Sequence, residues 1–200
     1  KEVIAAMTLE EKAKLCVGNG FNMPGVNPPG GPVIGQTQEM VPGAAGTTFA
    51  IPRLGIPSIV VADGPAGLRI SPFRNKDSSK SFYATAFPVA TLLASTWDTA
   101  LVKKVGVAFG NEVHEYGVDI LLAPALNIQR NPLGGRNFEY YSEDPVVAGY
   151  ITAAIVNGIE LNGVGTSIKH YAANNQETDR NSVNTIVSER ALREIYLKGF

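Results

Sequence analysis

Cysteine is nearly absent: Cys16 is the only one among 200 residues. That excludes an intrachain disulfide and any thiolate metal cluster, and a lone thiol in an amphipathic segment reads as a small core residue. Histidine occurs twice and tryptophan once. Neither sign of charge is in excess, since 17 cations stand against 18 anions for a formal net charge of -1. A near-neutral chain lacks the basic field that nucleic acid or an anionic membrane would demand, so neither is expected as a partner. Long apolar runs are missing too, and the stretch around Leu121 to Leu126 is far too short to cross a bilayer. No signal peptide is visible, which favours the cytoplasm over secretion. The chain begins at Lys1 rather than methionine, so an upstream segment, and with it the compartment, stays open.

What is present is a globular balance, 44% hydrophobic and 18% charged, in a chain long enough for a sizeable core. "MTLEEKAKL" carries a capping box, with Thr8 as N-cap and Glu11 reaching back. From Gly18 to Gly55 glycine and proline dominate and apolar periodicity is lost. That composition fits a linker, or a surface loop folded over a neighbouring site. Beyond it the pattern alternates. "PSIVVADGPAG", "FPVATLLAS", "VDILLAPAL" and "VGTSIKHYA" read as four apolar strands. Asp98 caps a helix stopped at Gly117, Pro145 opens another that ends at Gly163, and Ser188 opens a third. Strands apolar on both faces, alternating with helices, imply an α/β fold with a parallel sheet. No G-x-G-x-x-G follows the first strand, so an open dinucleotide-binding sheet has no support and a (β/α)8-type barrel is preferred. Four strands supply only half of one.

Function in such a barrel collects beyond the carboxyl ends of the strands. Asp63 and Arg69 follow the first strand in "DGPAGLR". Arg130, Arg136 and Glu139 follow the third in "NIQRNPLGGRNFEYYSEDP", and Lys169 and His170 close the fourth. Plainer roles exist for each. Asp63 before Gly-Pro fits a turn cap. Arg130 reads as a tie for loop carbonyls, and Glu139 as the ion-pair partner of Arg136. Glycine at 135 would let the backbone approach something closely. His114, mid-helix, reads as a surface or boundary residue, and Asn174 to Glu177 mostly as loop structure.

Taken together, a carboxylate, guanidiniums, an ammonium, an imidazole and several amides at one sheet end offer dense hydrogen bonding at low net charge. Phosphate would favour the cations without Asp63. A metal would be repelled by Lys169 beside the one available histidine, so no metal and no cofactor are expected. A polyhydroxylated neutral molecule fits, and a sugar is the natural inference. An aldolase using Lys169 as a Schiff base is a competing reading, but it needs an apolar site for the lysine.

"DGPAGLR", "GRNFEYYSEDP" and "KHYAANNQET", in this order, resemble the N-terminal catalytic barrel of glycoside hydrolase family three, in particular its bacterial β-glucosidases. The resemblance spans essentially the whole chain. It implies that Asp63, Arg69, Arg136, Lys169 and His170 line the subsite for a terminal non-reducing glucose, with a β-glucoside or oligosaccharide as substrate and an oligomer left open. The family's β-N-acetylglucosaminidase branch continues after Lys-His with Pro-Gly and a catalytic histidine, whereas this chain reads "YAANNQE". A β-xylosidase of the same family, or a non-catalytic sugar-binding protein, are the alternatives. The resemblance also implies retaining hydrolysis by two carboxyl groups, a nucleophilic aspartate in a Ser-Asp-Trp-like segment and a later acid/base glutamate. Trp97 in "STWDT" is in no such context. Residues 1–200 are therefore expected to be the amino-terminal part of the barrel, carrying neither catalytic carboxylate, with residues 18–55 a loop region and the remaining barrel and C-terminal domains outside it.

Overall fold

Short polar signals start most helices of the computed structural model, which describes residues 1–18, 40–74 and 77–200. A brief α1 (Glu2–Ala6) leads into α2 (Leu9–Val17). The Thr8 hydroxyl accepts from Glu11 N at 3.2 Å, and the Glu11 carboxylate accepts from Thr8 N at 2.8 Å, the reciprocal box expected. Arg53 also pairs with Glu11 and holds its carboxyl down at about 2. Cys16 is exposed, not core. No residue of α2 is buried, so there is no interior on that helix for the thiol to join.

Within the Gly/Pro-rich stretch, residues 19–39 lie outside the described residues, so the loop expectation stands untested there. Its later part holds β1 (Gly46–Thr47), which pairs antiparallel with β2 (Val60–Asp63). The segment "FPVATLLAS" is not a strand: it forms α3 (Ala90–Ser95), with Ala90, Leu93 and Ala94 buried. Those positions are one helical face, i, i+3 and i+4, and a short apolar run does not by itself separate strand from buried helix. Asp98 then caps α4 (Thr99–Glu115) by accepting from Leu101 N at 2.9 Å. β3 (Ile120–Leu122) pairs parallel with β2, in the register Val61 to Ile120 and Asp63 to Leu122. Asp144 caps α5 (Pro145–Glu160) through Val146 N and Val147 N. β4 (Gly165–Thr166) extends β3 in parallel, and a further bridge joins Ala125 to Lys169. Ser188 caps α6 (Glu189–Ala191), which runs on as a π turn through Leu192–Tyr196. The sheet order is β1-β2-β3-β4, so three strands are parallel rather than four.

The core lies between this sheet and the α4/α5 layer. Val102, Phe109 and Val113 of α4 meet Ile151, Ile155 and Ile159 of α5, over Val60, Ala62 and Leu121 of the strands. Burying each such side chain stabilises by about 1.5–3 kcal/mol. The two helices touch backbone to backbone: a Cβ at Gly158 would lie 2.3 Å from Lys103 O, and one at Gly106 2.5 Å from Ile155 O. This packing fixes the strands, and their carboxyl ends fix the site.

Candidate functional site at the strand ends

β2 stops at Asp63, and "GPAG" turns the chain back so that Arg69 N donates to Asp63 O at 2.9 Å. Only glycine fits the first position of the turn, because a Cβ at Gly64, with φ +138°, would fall 1.8 Å from Gly67 O. The Asp63 carboxylate is ion-paired with the Lys169 ammonium. Lys169 is placed by main-chain bonds to the segment after β3: Lys169 N donates to Pro124 O at 3.0 Å, and Lys169 O accepts from Leu126 N at 2.8 Å.

The next residue reaches a second pair. His170 Nε2 lies 3.0 Å from Arg136 Nη2. Arg136 is also paired with Glu139, as expected from their spacing, and with Glu177 at 3.7 Å. Burial works against the Arg136 charge, but hydrogen bonding to Glu139 and the charges of Glu139, Tyr140 and Glu177 more than offset it, and its pKa lies above the usual guanidinium value. The His170 imidazole is pushed down to about 4, first by burial, then by the charges of Arg136 and Lys169, with Asp63 and Glu177 opposing. The Tyr140 phenol, raised to about 12 chiefly by burial, donates to Asn174 O at 3.0 Å and stands 3.3 Å from His170 Nδ1.

Four of the five residues picked from the sequence thus meet as two contiguous pairs, Asp63 with Lys169 and Arg136 with His170. The fifth, Arg69, joins through its backbone, and its exposed side chain makes no ion pair among the described residues. Arg130 is exposed as well, and its guanidinium ties no carbonyl among the described residues. That corrects the loop-tie reading, since the "QRNP" backbone is closed instead by Asn131, whose carboxamide oxygen accepts from Leu133 N at 2.9 Å. Asn174 and Asn175 do serve the loop: Asn174 through Tyr140, and Asn175 by donating to Ile128 O. His114 is at the surface. A cavity of about 700 Å3 opens beside the Arg136 loop, lined by Arg130, Asn131, Gly135, Asn175, Gln176 and Glu177 among others. It flanks the two pairs rather than covering Asp63.

Two participants escape a reading of the sequence. Asn127, 2% exposed, clamps the His170 main chain, and Tyr140 contacts its ring. "ALNIQ" and "FEYY" look like loop and core; only the fold joins them to a histidine more than 29 residues away.

Parallel strands with charged ends beneath paired helices are the amino-terminal portion of a TIM-like barrel. The chain belongs to glycosyl hydrolase family 3, since residues 36–200 match the model described as "Glycosyl hydrolase family 3 N terminal domain". Thermostable beta-glucosidase B of Acetivibrio thermocellus is 45% identical over 202 residues, covering 100% of this chain and 24% of that protein. An exo-alpha-(1->6)-L-arabinopyranosidase of Bifidobacterium longum is 52% identical over 149 residues, or 73% of this chain and 20% of that protein. Among solved structures, beta-glucosidase 3B from Thermotoga neapolitana in complex with glucose superposes with a TM-score of 0.86 at 57% identity. The match covers 99% of this chain and 26% of that one, so the chain spans about a quarter of the length of such relatives.

Proposed function

We propose that this chain supplies the sugar-gripping wall of a retaining β-glucosidase that removes terminal non-reducing β-D-glucosyl residues. Asp63, Arg69, Arg136, Lys169 and His170 are the substrate-binding residues in this reading, and the two catalytic carboxylates come from chain beyond Phe200. The observation that carries it is the meeting of Asp63–Lys169 and Arg136–His170 at one end of the parallel sheet, in a member of family 3. An ionised carboxylate accepts from neighbouring hydroxyls, while the cations donate to others; charge-assisted bonds of this kind are the strong ones. The pairing of Lys169 with Asp63 also disfavours the Schiff-base reading, which requires a free amine in an apolar setting.

A second substrate, an α-L-arabinopyranoside, is favoured by the relative from Bifidobacterium longum, whose name gives that specificity at 52% identity. β-Xylosides remain the other candidate. The test is the intact enzyme that contains this chain, assayed with aryl β-D-glucoside, β-D-xyloside and α-L-arabinopyranoside, with the released anomer followed by proton NMR. The β-glucoside should give the highest kcat/KM, with the β anomer appearing first. First appearance of the α anomer would remove the retaining mechanism, and a dominant rate on the arabinoside would move the assignment to the second substrate. Sugar binding without turnover of any of the three would leave a non-catalytic binding protein.

A further inference from the structure

A buried amide decides what His170 can do. Asn127 Oδ1 accepts from His170 N at 3.0 Å, and Asn127 Nδ2 donates to His170 O at 2.8 Å. Backbone groups have fixed donor and acceptor roles, so these two bonds admit one orientation of the carboxamide. Oδ1 is thereby held 3.3 Å from His170 Nδ1, an acceptor that calls for a proton on that nitrogen. Tyr140 agrees. Its hydroxyl proton is given to Asn174 O, so toward Nδ1 at 3.3 Å it offers a lone pair.

The opposite edge of the ring reaches the same answer independently. Arg136 Nη2 is 3.0 Å from Nε2, and a guanidinium donates but never accepts. The contact is a hydrogen bond only if Nε2 carries a lone pair. We infer that Asn127 is a positioning residue that holds His170 neutral, with its proton on Nδ1 and a lone pair on Nε2, so that this imidazole accepts from Arg136 or from a ligand hydroxyl and donates to neither.

The charges around the ring come from every neighbouring element. Arg136 reaches it from the loop after β3, Lys169 from its own strand end, Asp63 from the end of β2, and Glu177 from the loop after β4. Glu139 stands behind Arg136. Burial and the two cations keep the ring neutral against the carboxylates, which agrees with a value of about 4. A second proton would set an N–H of the ring against an N–H of Arg136 and open the wall.

Neutron diffraction from crystals of the ligand-free intact enzyme near neutral pH reads the proton directly. Deuterium on Nδ1 and none on Nε2 is the expected map; deuterium on Nε2 overturns the inference. A variant adds a functional arm, which rests on the sugar-subsite reading. Asn127→Asp keeps an acceptor for the ring and the main-chain N–H, gives up the donor to His170 O, and adds a charge that favours imidazolium. The acid limb of kcat/KM on an aryl glycoside should move up by about one pH unit or more, with activity recovering above it. A loss of the same factor at every pH would reduce Asn127 to scaffold and overturn its assigned role. If Asn127→Asp does not fold, the neutron map still decides the tautomer, and it does so even for an enzyme that hydrolyses no glycoside, which would sink only the substrate reading.

Discussion

The Lys169 ammonium is ion-paired with the Asp63 carboxylate, 106 residues earlier in the chain. β3 lies between their strands, and neighbouring strands are about 4.8 Å apart, so the lysine stem crosses the full width of the middle strand. Ala123 and Ala125, in the segment that follows β3 and bridges to Lys169, are small and buried. The pair is thus a strap over the sheet end, and at the same time a ready carboxylate for hydroxyl groups.

Asp63→Asn and Lys169→Met in the intact enzyme should each lower kcat/KM on an aryl β-glucoside by a factor of about 100, because each removes a charge-assisted bond to the sugar and unsettles the other partner. The double variant should lose less than the product of the two, with a coupling of about 1–3 kcal/mol. Stability should fall by only about 1 kcal/mol, since Lys169 and Asp63, 19% and 31% exposed, are only partly shielded from water and a net ion pair there contributes little. Asp63→Asn should also cost less on a deoxy-glucoside that lacks the hydroxyl it holds. Multiplicative kinetics, or a collapse of the melting temperature, would return Asp63 to turn capping alone.

His170 makes stability depend on pH in a defined direction. Its folded-state value, about 4, lies below the ordinary imidazole value of 6.5, so between these pH values the unfolded chain binds more protons than the folded one. The stability that neutral His170 confers is complete above pH 6.5 and is lost as pH falls towards 4. The full shift would be worth about 3 kcal/mol, and solvent screening of the half-exposed ring brings this to the order of 2 kcal/mol. Melting temperatures across this window should fall more steeply for the wild type than for His170→Gln. Parallel curves would show that the imidazole titrates as it does in the unfolded chain.

Gly158 tests the layer that holds the strands. A methyl there would press on Lys103 O and on Gly106 Cα, 2.9 Å away, and neither belongs to a flexible side chain. Gly158→Ala should therefore destabilise by about 1–3 kcal/mol, lowering the melting temperature by several degrees, while KM at permissive temperature stays unchanged. An unchanged melting temperature would mean that α4 and α5 separate without cost.

What was legible in the sequence had local causes. Thr8, Asp98 and Ser188 as caps, and Pro145 as a first residue, announce helices because such signals act within three residues. Asp63, Lys169, Arg136 and His170 stood out together, because the polar groups after several apolar strands collect at one end of the sheet, although each alone has a plainer role. Their pairings did not stand out, nor did Asn127, since nothing near position 127 reveals a partner at 170. The strand expected at "FPVATLLAS" failed on the same ground: its six helical residues are too few for periodicity to decide. β1 is two residues long in a glycine-rich stretch and exists through its partner β2.

The carboxylates of the site lead to the last prediction, that the 200-residue chain by itself hydrolyses no aryl β-glucoside. Retaining hydrolysis needs one carboxylate free to attack and a second carboxyl, about 5 Å away, carrying a proton to give. Asp63 is engaged by Lys169, Glu139 by Arg136, and Glu177 by both Arg136 and Arg180. Each therefore faces a cation that would have to be displaced before the carboxylate could attack or hand a proton to the leaving group. Glucose should still bind the chain weakly, through the strand ends, and Lys169→Met should weaken it further. The measurement is glucose release by the purified chain beside the same chain carrying Glu177→Gln. Turnover abolished by that substitution would place a catalytic carboxyl inside residues 1–200 and overturn the division of labour proposed between this chain and the remainder of the enzyme.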